Sequence, residues 1–406
     1  MGRKTYESLP SSMFSEHRIP IVLSTTIHEH QKTWNQALKY AFENCDKVFV
    51  IGGAQVYGLA FNDPACRYIY WTEILQEFPA TVHLPSYLSL ERNYKLIGMS
   101  DIVMEEKIPY QFLTYERKHD EVQYLNIMKQ ILDYKQLKKG RNGMTYVLPG
   151  GAVCRYSLRN NQVPIFTTKQ TYWKKAAEEL IWMIRGQTSA KALQEKKNHI
   201  WDANGTKEYL TSIGLGHREE FDLGPIYGHQ WRHFGAPYTN CHADYKYQGV
   251  DQLTELLHLL RTDKNSRRIL LSAWNPAQLK EMALPPCHVL CQFVVNEENE
   301  LRCFMYQRSA DLMLGVPFNV IFYSILTRLM AHLSGLVAVE FIHYMADVHL
   351  YEDHVAAVKE QITREPIPFP TLQFKRKDFT LEDFKTEDLL VENYRHHSPI
   401  PAKMIV

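Results

Sequence analysis

The sequence has almost no excess of charge of either sign. Lys and Arg number 46 and Asp and Glu number 45 among 406 residues, so the formal net charge is +1. Proteins that hold a polyanion by releasing its counterions carry a large positive surplus. The balance disfavours a nucleic-acid scaffold and implies that no nucleic acid is required as a partner. A few arginines gathered at one site could still bind a small anion.

Cysteine pairs are also missing. The seven cysteines are odd in number, lie far apart and never form a C-x-x-C pair. Neither a disulfide framework nor a metal site is therefore expected, and a reducing compartment is favoured. The seven are Cys45, Cys66, Cys154, Cys241, Cys287, Cys291 and Cys303.

No uninterrupted apolar run is long enough for a membrane span. The first eight residues carry charge where a signal peptide would have its apolar core. The most apolar stretch, 315–339, is interrupted by Asn319, Arg328 and His332. With 45% hydrophobic and 22% charged residues, the composition is that of a packed globular chain. We therefore expect a soluble, cytoplasmic protein with no membrane partner.

The length predicts at least two domains. Residues 1–118 are predicted to form an α/β sheet domain, because short apolar runs alternate with helical patterns. A charged stretch without apolar periodicity, 116–121, marks the boundary, and a short linker is predicted over 119–122. Strand patterns span 19–24, 47–51, 67–73 and 111–117, and helix patterns span 35–44 and 54–61.

Residues 123–406 are predicted to form one large α+β domain without repeats or low-complexity segments. Apolar residues between Tyr124 and Leu132 recur at helical spacing, so this domain opens with a helix. Further helix patterns span 174–185, 250–261 and 319–333, and strand patterns span 268–273, 288–295 and 301–307.

The segment 284–309 predicts a hairpin of two strands around a polar turn. A turn centred near Glu298 places Cys287 opposite Arg308 and Ser309. A guanidinium beside a thiol stabilises the thiolate, which makes Cys287 a candidate nucleophile. From the pattern alone, a small core cysteine is the alternative.

Two motifs in this region resemble the active-site signature of thymidylate synthase. They are Leu284-Pro-Pro-Cys-His288 and the run from Tyr306-Gln-Arg-Ser to Gly315-Val-Pro-Phe-Asn319, and the likeness extends through nearly all of 121–406. The resemblance implies methylation of deoxyuridine monophosphate (dUMP) to dTMP by 5,10-methylenetetrahydrofolate, which becomes dihydrofolate. A nucleophile must first add at C6 of the pyrimidine, and by resemblance Cys287 is that nucleophile.

The resemblance assigns the dUMP phosphate to converging arginines, joined by the Ser309 hydroxyl. Those arginines are Arg141, Arg267, Arg268 and Arg308. Arg267 and Arg268 would reach across from the other subunit, which implies a homodimer with shared active sites. From the pattern alone, they would be an exposed basic pair before a strand.

The resemblance assigns pyrimidine recognition to Asn319, and the sugar 3′-hydroxyl to His349 and Tyr351. A carboxamide complements O4 and N3–H of uracil, although a helix cap is the alternative for Asn319. His349 and Tyr351 share one face of a predicted strand, where they could equally be half-buried sheet residues.

In a predicted helix, the resemblance assigns catalysis to Glu179 and leaves Glu178 in solvent. A buried carboxyl has a raised pKa and suits proton transfer.

The remaining cavity residues are also assigned by resemblance. Arg308 and Asp311 join Cys287 and Glu179 as catalytic residues, while Tyr227 and His288 would lie beside the nucleotide. From the pattern alone, Tyr227 and Trp201 would be core aromatics. The folate side would consist of Trp201, Asn204, Asp311, Gly315 and Val406, the last in a C-terminal tail, 401–406, that folds over bound ligands.

Residues 1–118 resemble dihydrofolate reductase, and reductase followed by synthase is the order of the fused enzyme of protists and plants. The motifs are Gly2-Arg-Lys-Thr-Tyr6, Ile21-Val-Leu-Ser24 and Val50-Ile-Gly-Gly-Ala-Gln-Val-Tyr57. The resemblance implies NADPH as a cofactor if this half is functional, and it assigns Arg18 to the glutamate tail of folate. The NADPH residues would be Lys4, Thr5, Ser24, Gly52, Gly53, Ala54 and Tyr57.

The reductase resemblance begins part-way through that family's fold. The family's opening strand, nicotinamide-covering loop and acidic helix would precede Met1. Where the family has an Asp-Thr pair before a late strand, this sequence has Thr81-Val82. The first domain is therefore expected to be a partial, inactive reductase. Two alternatives stay open: a fully bifunctional enzyme with further residues before Met1, and a non-catalytic nucleotide- or RNA-binding protein.

Overall fold

A computed structural model describes residues 1–14, 18–24, 33–63, 65–84, 90–140 and 143–405. The chain divides into two compact units, Met1–Lys118 and His119–Val406. Each unit combines helices with a sheet, in agreement with the predicted α/β domain followed by an α+β domain.

In the first unit, β4 is the centre of an antiparallel sheet. β1 and β2 pair with its two sides, and β3 pairs with its first residues. The strands are β1 (Tyr68–Ile74), β2 (Tyr94–Met99), β3 (Val103–Glu105) and β4 (Ile108–Arg117). The helices are α1 (Arg3–Glu7), α2 (Trp34–Asn44), α3 (Ala54–Asn62) and α4 (Leu90–Asn93), with a 3-10 turn at Ser11–Met13.

Four sequence patterns in this unit are confirmed, as α2, α3, β1 and β4. The strand predicted at 47–51 is wrong, since none of these residues lies in a strand and Phe49 is 69% exposed. No described strand runs beside 47–51, so its backbone has no ladder to join. The stretch 19–24 forms a single parallel bridge, between Gly2 and Leu23.

The second unit is built on a seven-stranded sheet in the order β5-β6-β11-β10-β9-β8, with β7 also paired to β11. β10 and β11 run parallel, and the other neighbours are antiparallel. The strands are β5 (Leu137–Gly140), β6 (Gly143–Leu148), β7 (Ala152–Ser157), β8 (Leu270–Ser272), β9 (His288–Val295), β10 (Glu300–Asp311) and β11 (Val337–Tyr351). A separate ladder joins β12 (Thr371–Phe374) to β13 (Leu389–Glu392).

Helices surround this sheet. The longer ones are α5 (Glu121–Tyr134), α6 (Trp173–Ile184), α11 (Gln252–Thr262) and α12 (Gly315–Ser334). The shorter ones are α7 (Lys191–Gln194), α8 (Asp202–Gly205), α9 (Lys207–Ser212), α10 (Tyr227–His233) and α13 (Val355–Gln361), with 3-10 turns at Arg159–Asn161, Leu279–Glu281, Glu352–His354 and Thr386–Asp388. The stretch 119–122 thus includes the first residues of α5.

α12 is the core helix of the second unit. It packs against α6, β10 and β11, and it ends at Gly335, whose φ of 70° suits a residue without a Cβ. By length and composition this helix could cross a membrane, but 78% of its apolar window is buried within the protein. Such burial is typical of the central helix of a globular domain.

β9 and β10 form the predicted hairpin. Tyr306 pairs with Leu290, which is the register predicted from a turn near Glu298. A bulge after Tyr306 shifts the register by one residue, and the Arg308 N–H then donates to the Cys287 carbonyl at 2.9 Å. Cys287 therefore lies opposite Arg308, as the sequence predicted.

Candidate active site

A cavity of about 680 Å³ in the second unit brings most of the predicted synthase residues together. It lies where the hairpin β9–β10, the end of β11 and the helices α6 and α12 meet. The predicted residues that line it are Glu179, Trp201, Asn204, Tyr227, Cys287, His288, Arg308, Ser309, Asp311, Gly315, Asn319, His349 and Tyr351.

The Arg308 guanidinium is fixed beside the Cys287 thiol. Its Nη2 lies 3.9 Å from Sγ. Nε and Nη2 donate to the carbonyls of Pro286 and Pro285, each at 2.8 Å. These two bonds hold the positive charge where it stabilises a thiolate over a thiol.

Tyr227 and His288 support Cys287 from the interior. The Tyr227 hydroxyl accepts a hydrogen bond from the Cys287 N–H at 2.7 Å, and its ring stacks on His288 with centroids 4.2 Å apart. Burial lowers the pKa of His288 to about 3, so this ring is neutral near pH 7. The positive charge beside the thiol therefore comes from Arg308 and not from His288.

Glu179 is the buried carboxyl of α6. The Trp201 indole Nε1–H donates to its Oε1 at 2.8 Å. Burial raises the pKa of Glu179 to about 7, against the smaller lowering effect of that hydrogen bond. A carboxyl with this pKa can hold or release a proton near neutral pH. Glu178 is less buried and does not line the cavity.

A chain of hydrogen bonds orients the Asn319 carboxamide. Gln307 Nε2 donates to Asn319 Oδ1 at 3.0 Å and to the Ser309 carbonyl at 2.8 Å. Gln307 Oε1 is therefore an acceptor, and His343 Nε2 donates to it at 2.8 Å. Burial lowers the pKa of His343 to about 3, so the ring is neutral. The Nδ2 group of Asn319 takes no part in these hydrogen bonds. It is therefore oriented as a donor, which suits a carbonyl oxygen such as O4.

Asp311 lies at the entry to α12. Its Oδ1 accepts hydrogen bonds from the N–H groups of Met313 and Leu314 at 2.9 and 3.3 Å. A Cβ at Gly315 would lie 3.5 Å from the Asp311 Cβ and 3.8 Å from the Asn319 Oδ1. A side chain at position 315 would thus enter the space between two predicted ligand-binding residues.

His349 and Tyr351 lie together at the end of β11, with ring centroids 5.4 Å apart. The His349 Nδ1 is 3.1 Å from an Asp347 carboxylate oxygen, and the Lys138 ammonium pairs with the other oxygen. Partial burial alone would raise the pKa of Asp347, but Lys138 and His349 outweigh it and hold that pKa below its usual range. This end of the cavity is therefore charged and polar.

Several cavity residues were missed by sequence reasoning. Gln307 lies inside the quoted signature and directly precedes the predicted Arg308, and that position was the only signal for it. Lys138 and Asp347 become neighbours only through sheet pairing, because β5 and β11 both flank β6. The missed lining residues are Lys138, Thr145, Gln307, Asp347, Met404 and Ile405, with Gly140, Ile200, Leu284 and Pro285.

Four of the predicted synthase residues are not found in this lining. Arg267 and Arg268 are exposed and do not line the cavity of their own chain. Arg141 and Val406 lie outside the described residues.

Comparisons with known proteins cover the whole chain. Residues 122–406 match the thymidylate synthase family, and residues 1–117 match the dihydrofolate reductase family. Bifunctional dihydrofolate reductase-thymidylate synthases of Zea mays, Paramecium tetraurelia and Leishmania major are each 39% identical over 100% of this chain. The matches span 88, 90 and 85% of those relatives.

The chain belongs to the bifunctional dihydrofolate reductase-thymidylate synthase family. Its first unit has a dihydrofolate reductase fold, its second unit is a thymidylate synthase, and the cavity lies in the synthase.

In the reductase unit, several of the residues predicted to bind NADPH lie close together at the start of α3. Gly53 is the N-cap of α3, and a Cβ there would lie 3.4 Å from the Thr5 Oγ1. Gly52 has a φ of 111°, and a Cβ there would lie 3.5 Å from the Tyr57 ring. Both distances are ordinary contacts, so only Gly52 is favoured as a glycine, by its φ. Ala54 is the first residue of α3.

The other predicted reductase residues are less closely gathered. Lys4 is exposed on α1, and Ser24 is buried next to the bridge between Gly2 and Leu23. The Arg18 guanidinium donates to the Met13 carbonyl at 3.3 Å.

One surface cluster in the synthase unit has metal-type donors. Ligand atoms of Glu219, Cys241 and His242 lie within 4.8 Å of one another. Glu219 already pairs with the Lys191 ammonium, and its second oxygen is 2.8 Å from the His242 Nε2. These contacts bring Glu219 together with Lys191 and His242, and the ammonium would oppose a bound cation.

Proposed function

We propose that the synthase unit converts dUMP to dTMP with Cys287 as the nucleophile. The observation that carries the proposal is the Cys287 Sγ in the cavity, 3.9 Å from the Arg308 guanidinium. The thiolate adds to C6 of the uracil ring, and the C5–C6 electron pair becomes an enolate. C5 then attacks the methylene carbon of 5,10-methylenetetrahydrofolate, and the bond from that carbon to N10 breaks. Loss of the C5 proton breaks the remaining bond from the methylene carbon to N5 and leaves a methylene group on C5. Hydride transfer from the resulting tetrahydrofolate to this methylene, with departure of the thiolate from C6, gives dTMP and dihydrofolate.

The other cavity residues receive roles that match their chemistry. Glu179, with its pKa near 7, exchanges a proton near O4. Asn319 contacts O4 and N3, and His349 and Tyr351 hold the sugar hydroxyl. Asp311 faces the pterin ring of the folate. The phosphate is held by Arg308 and Ser309 together with Arg141, and the folate side is completed by Trp201, Asn204, Gly315 and Val406.

The nucleophile is tested with 5-fluoro-dUMP and methylenetetrahydrofolate. Fluorine at C5 cannot leave as a proton does, so the reaction should stop at a covalent adduct. We expect intact-protein mass spectrometry under denaturing conditions to show the added mass in the natural chain and in Cys291→Ala. Cys291 is a buried cysteine of the same hairpin and serves as the control. Persistence of the adduct in Cys287→Ala would contradict the proposal.

We propose that the active unit is a homodimer. By strand register, Val153, Tyr344, Tyr306 and Leu290 lie side by side across β7, β11, β10 and β9, on one face of the sheet. Val153, Tyr344 and Tyr306 are 44, 40 and 43% exposed. An apolar row of this kind is typical of a surface that a second copy covers.

The same interface provides a use for Arg267 and Arg268. They precede β8, at the edge of this sheet, and both are exposed. In the proposed dimer, each chain supplies these two guanidinium groups to the phosphate site of its partner. Planar guanidinium groups suit a phosphate dianion, so four arginines from two chains would complete the site.

For the reductase unit, we propose that the start of α3 binds a phosphate of NADPH, the cofactor that supplies hydride to a reductase. The residues present fit such a group, because the N-cap Gly53 carries no side-chain cap and the first N–H groups of α3 can donate to an anion.

We also propose a cytoplasmic location. The seven cysteines all lie in described parts of the chain and none forms a disulfide, as suits a reducing compartment.

A further inference from the structure

The C-terminal tail has one hydrogen-bonded anchor beside the cavity. The His354 Nε2 lies 2.7 Å from the carbonyl oxygen of Lys403. A carbonyl only accepts, so the ring donates. In the described part of the tail, 401–405, and in the two residues before it, no other hydrogen bond is made. The next two residues, Met404 and Ile405, line the cavity.

His354 is itself firmly placed. It ends the 3-10 turn that follows β11, and it is only 1% exposed. Its ring meets the Tyr351 ring edge-on at 5.7 Å, and Tyr351 meets His349 in the same manner at 5.4 Å. A row of three rings therefore connects the tail to the end of the cavity that holds the sugar.

We propose that His354 is a positioning residue that holds the tail over the folate end of the cavity through the Lys403 carbonyl. The inference rests on the proposed function, because the tail matters only where a folate binds. A tail already tied down loses less conformational freedom when the ligands bind, so the folate binds more tightly.

Three variants of the full-length chain test the anchor. His354→Leu removes the donor and keeps an apolar side chain, whereas His354→Gln restores a donor near the position of Nε2. His332→Leu is the matched control, because His332 Nε2 lies 2.8 Å from the Lys377 carbonyl and the residue does not line the cavity. The measurements are the KM for methylenetetrahydrofolate, kcat, the Kd for dUMP alone and the thermal midpoint.

We expect His354→Leu to raise the KM for the folate about fivefold to tenfold, the scale of one lost hydrogen bond. The Kd for dUMP should stay within about twofold of the natural value, because the hydrogen bond that is lost joins His354 to the tail and not to the nucleotide. His354→Gln should recover most of the loss, and His332→Leu should leave the folate KM unchanged. Equal losses for dUMP and folate, or no recovery in His354→Gln, would overturn the proposal.

A second measurement does not depend on turnover. Carboxypeptidase digestion of the ligand-free chain should release the last residues faster from His354→Leu than from the natural chain or His332→Leu. Equal release rates would refute the anchor even if the 5-fluoro-dUMP adduct forms. If the adduct fails while release is accelerated, the chemistry assigned to Cys287 is wrong and the anchor stands.

Discussion

The Glu179 carboxyl is buried and accepts a hydrogen bond from Trp201. Burial raises its pKa from 4.5 to about 7, so between these values the folded protein binds a proton that the unfolded chain has lost. Its effect on the free energy of unfolding is therefore absent below pH 4.5. As the pH rises from 4.5 to 7, stability should fall by on the order of 3 kcal/mol in total, and it should change little from this cause at higher pH.

Urea unfolding at pH 5 and pH 8 measures this dependence. Glu179→Gln keeps an oxygen for Trp201 but does not titrate, so it should lose less stability between the two pH values than the natural chain. Glu178→Gln is the control from the same helix and should behave much more like the natural chain. An identical pH response in Glu179→Gln and the natural chain would refute the proton-holding role.

Single residues were predictable where one local pattern determined their place. Cys287 and Arg308 face each other because the turn near Glu298 sets the hairpin register. Gln307 could not be predicted in the same way. Its role depends on His343, which lies on a strand that comes later in the chain and is separated from β10 by the whole of α12.

At the scale of elements, Arg328 ties the core helix α12 to the segment 158–162. Its guanidinium donates to the carbonyls of Leu158 and Gln162 at 2.6 and 2.7 Å, and to the Asn161 Oδ1 at 3.3 Å. Burial lowers the pKa of this arginine to about 10. Arg328→Leu should cost roughly 2–4 kcal/mol of stability, because it leaves buried carbonyls without donors.

Chemical denaturation compares this loss with that of Arg155→Leu. Arg155 forms a two-pronged ion pair with Glu340 but is half exposed, so its replacement should cost less than about 1 kcal/mol. Losses of similar size in the two variants would show that α12 does not depend on Arg328.

Helices and paired strands were predicted well because their apolar spacing is local information. The helix patterns at 35–44 and 174–185 became α2 and α6. The strand pattern at 47–51 failed for the opposite reason. A strand needs a neighbour to bond with, and the β-rich composition of one segment does not say whether that neighbour is there.

At the scale of the whole molecule, the exposed apolar row on the synthase sheet predicts self-association. Tyr344→Asp places a charge in that row, so sedimentation velocity should show a monomer with little synthase activity. Tyr247→Asp is the control, because Tyr247 is 93% exposed and lies outside the sheet. A Tyr344→Asp variant that remains a dimer would place the interface elsewhere.

Mixing two inactive variants tests the shared sites. Cys287→Ala and Arg268→Ala should each have little activity alone. In a mixed dimer, one cavity has both its own Cys287 and the partner chain's intact arginine. Activity should therefore appear after the two variants are mixed and allowed to exchange subunits. A mixture no more active than its components would mean that Arg268 serves its own chain or neither.

The bulge after Tyr306 changes how many consecutive residues β10 can present to one side. A regular strand points successive side chains to opposite faces, so only alternate residues could reach a common ligand. With the register shifted at Gln307, the three successive residues Gln307, Arg308 and Ser309 all line the cavity. One irregular step in a strand thus brings an amide, a guanidinium and a hydroxyl to the same cavity.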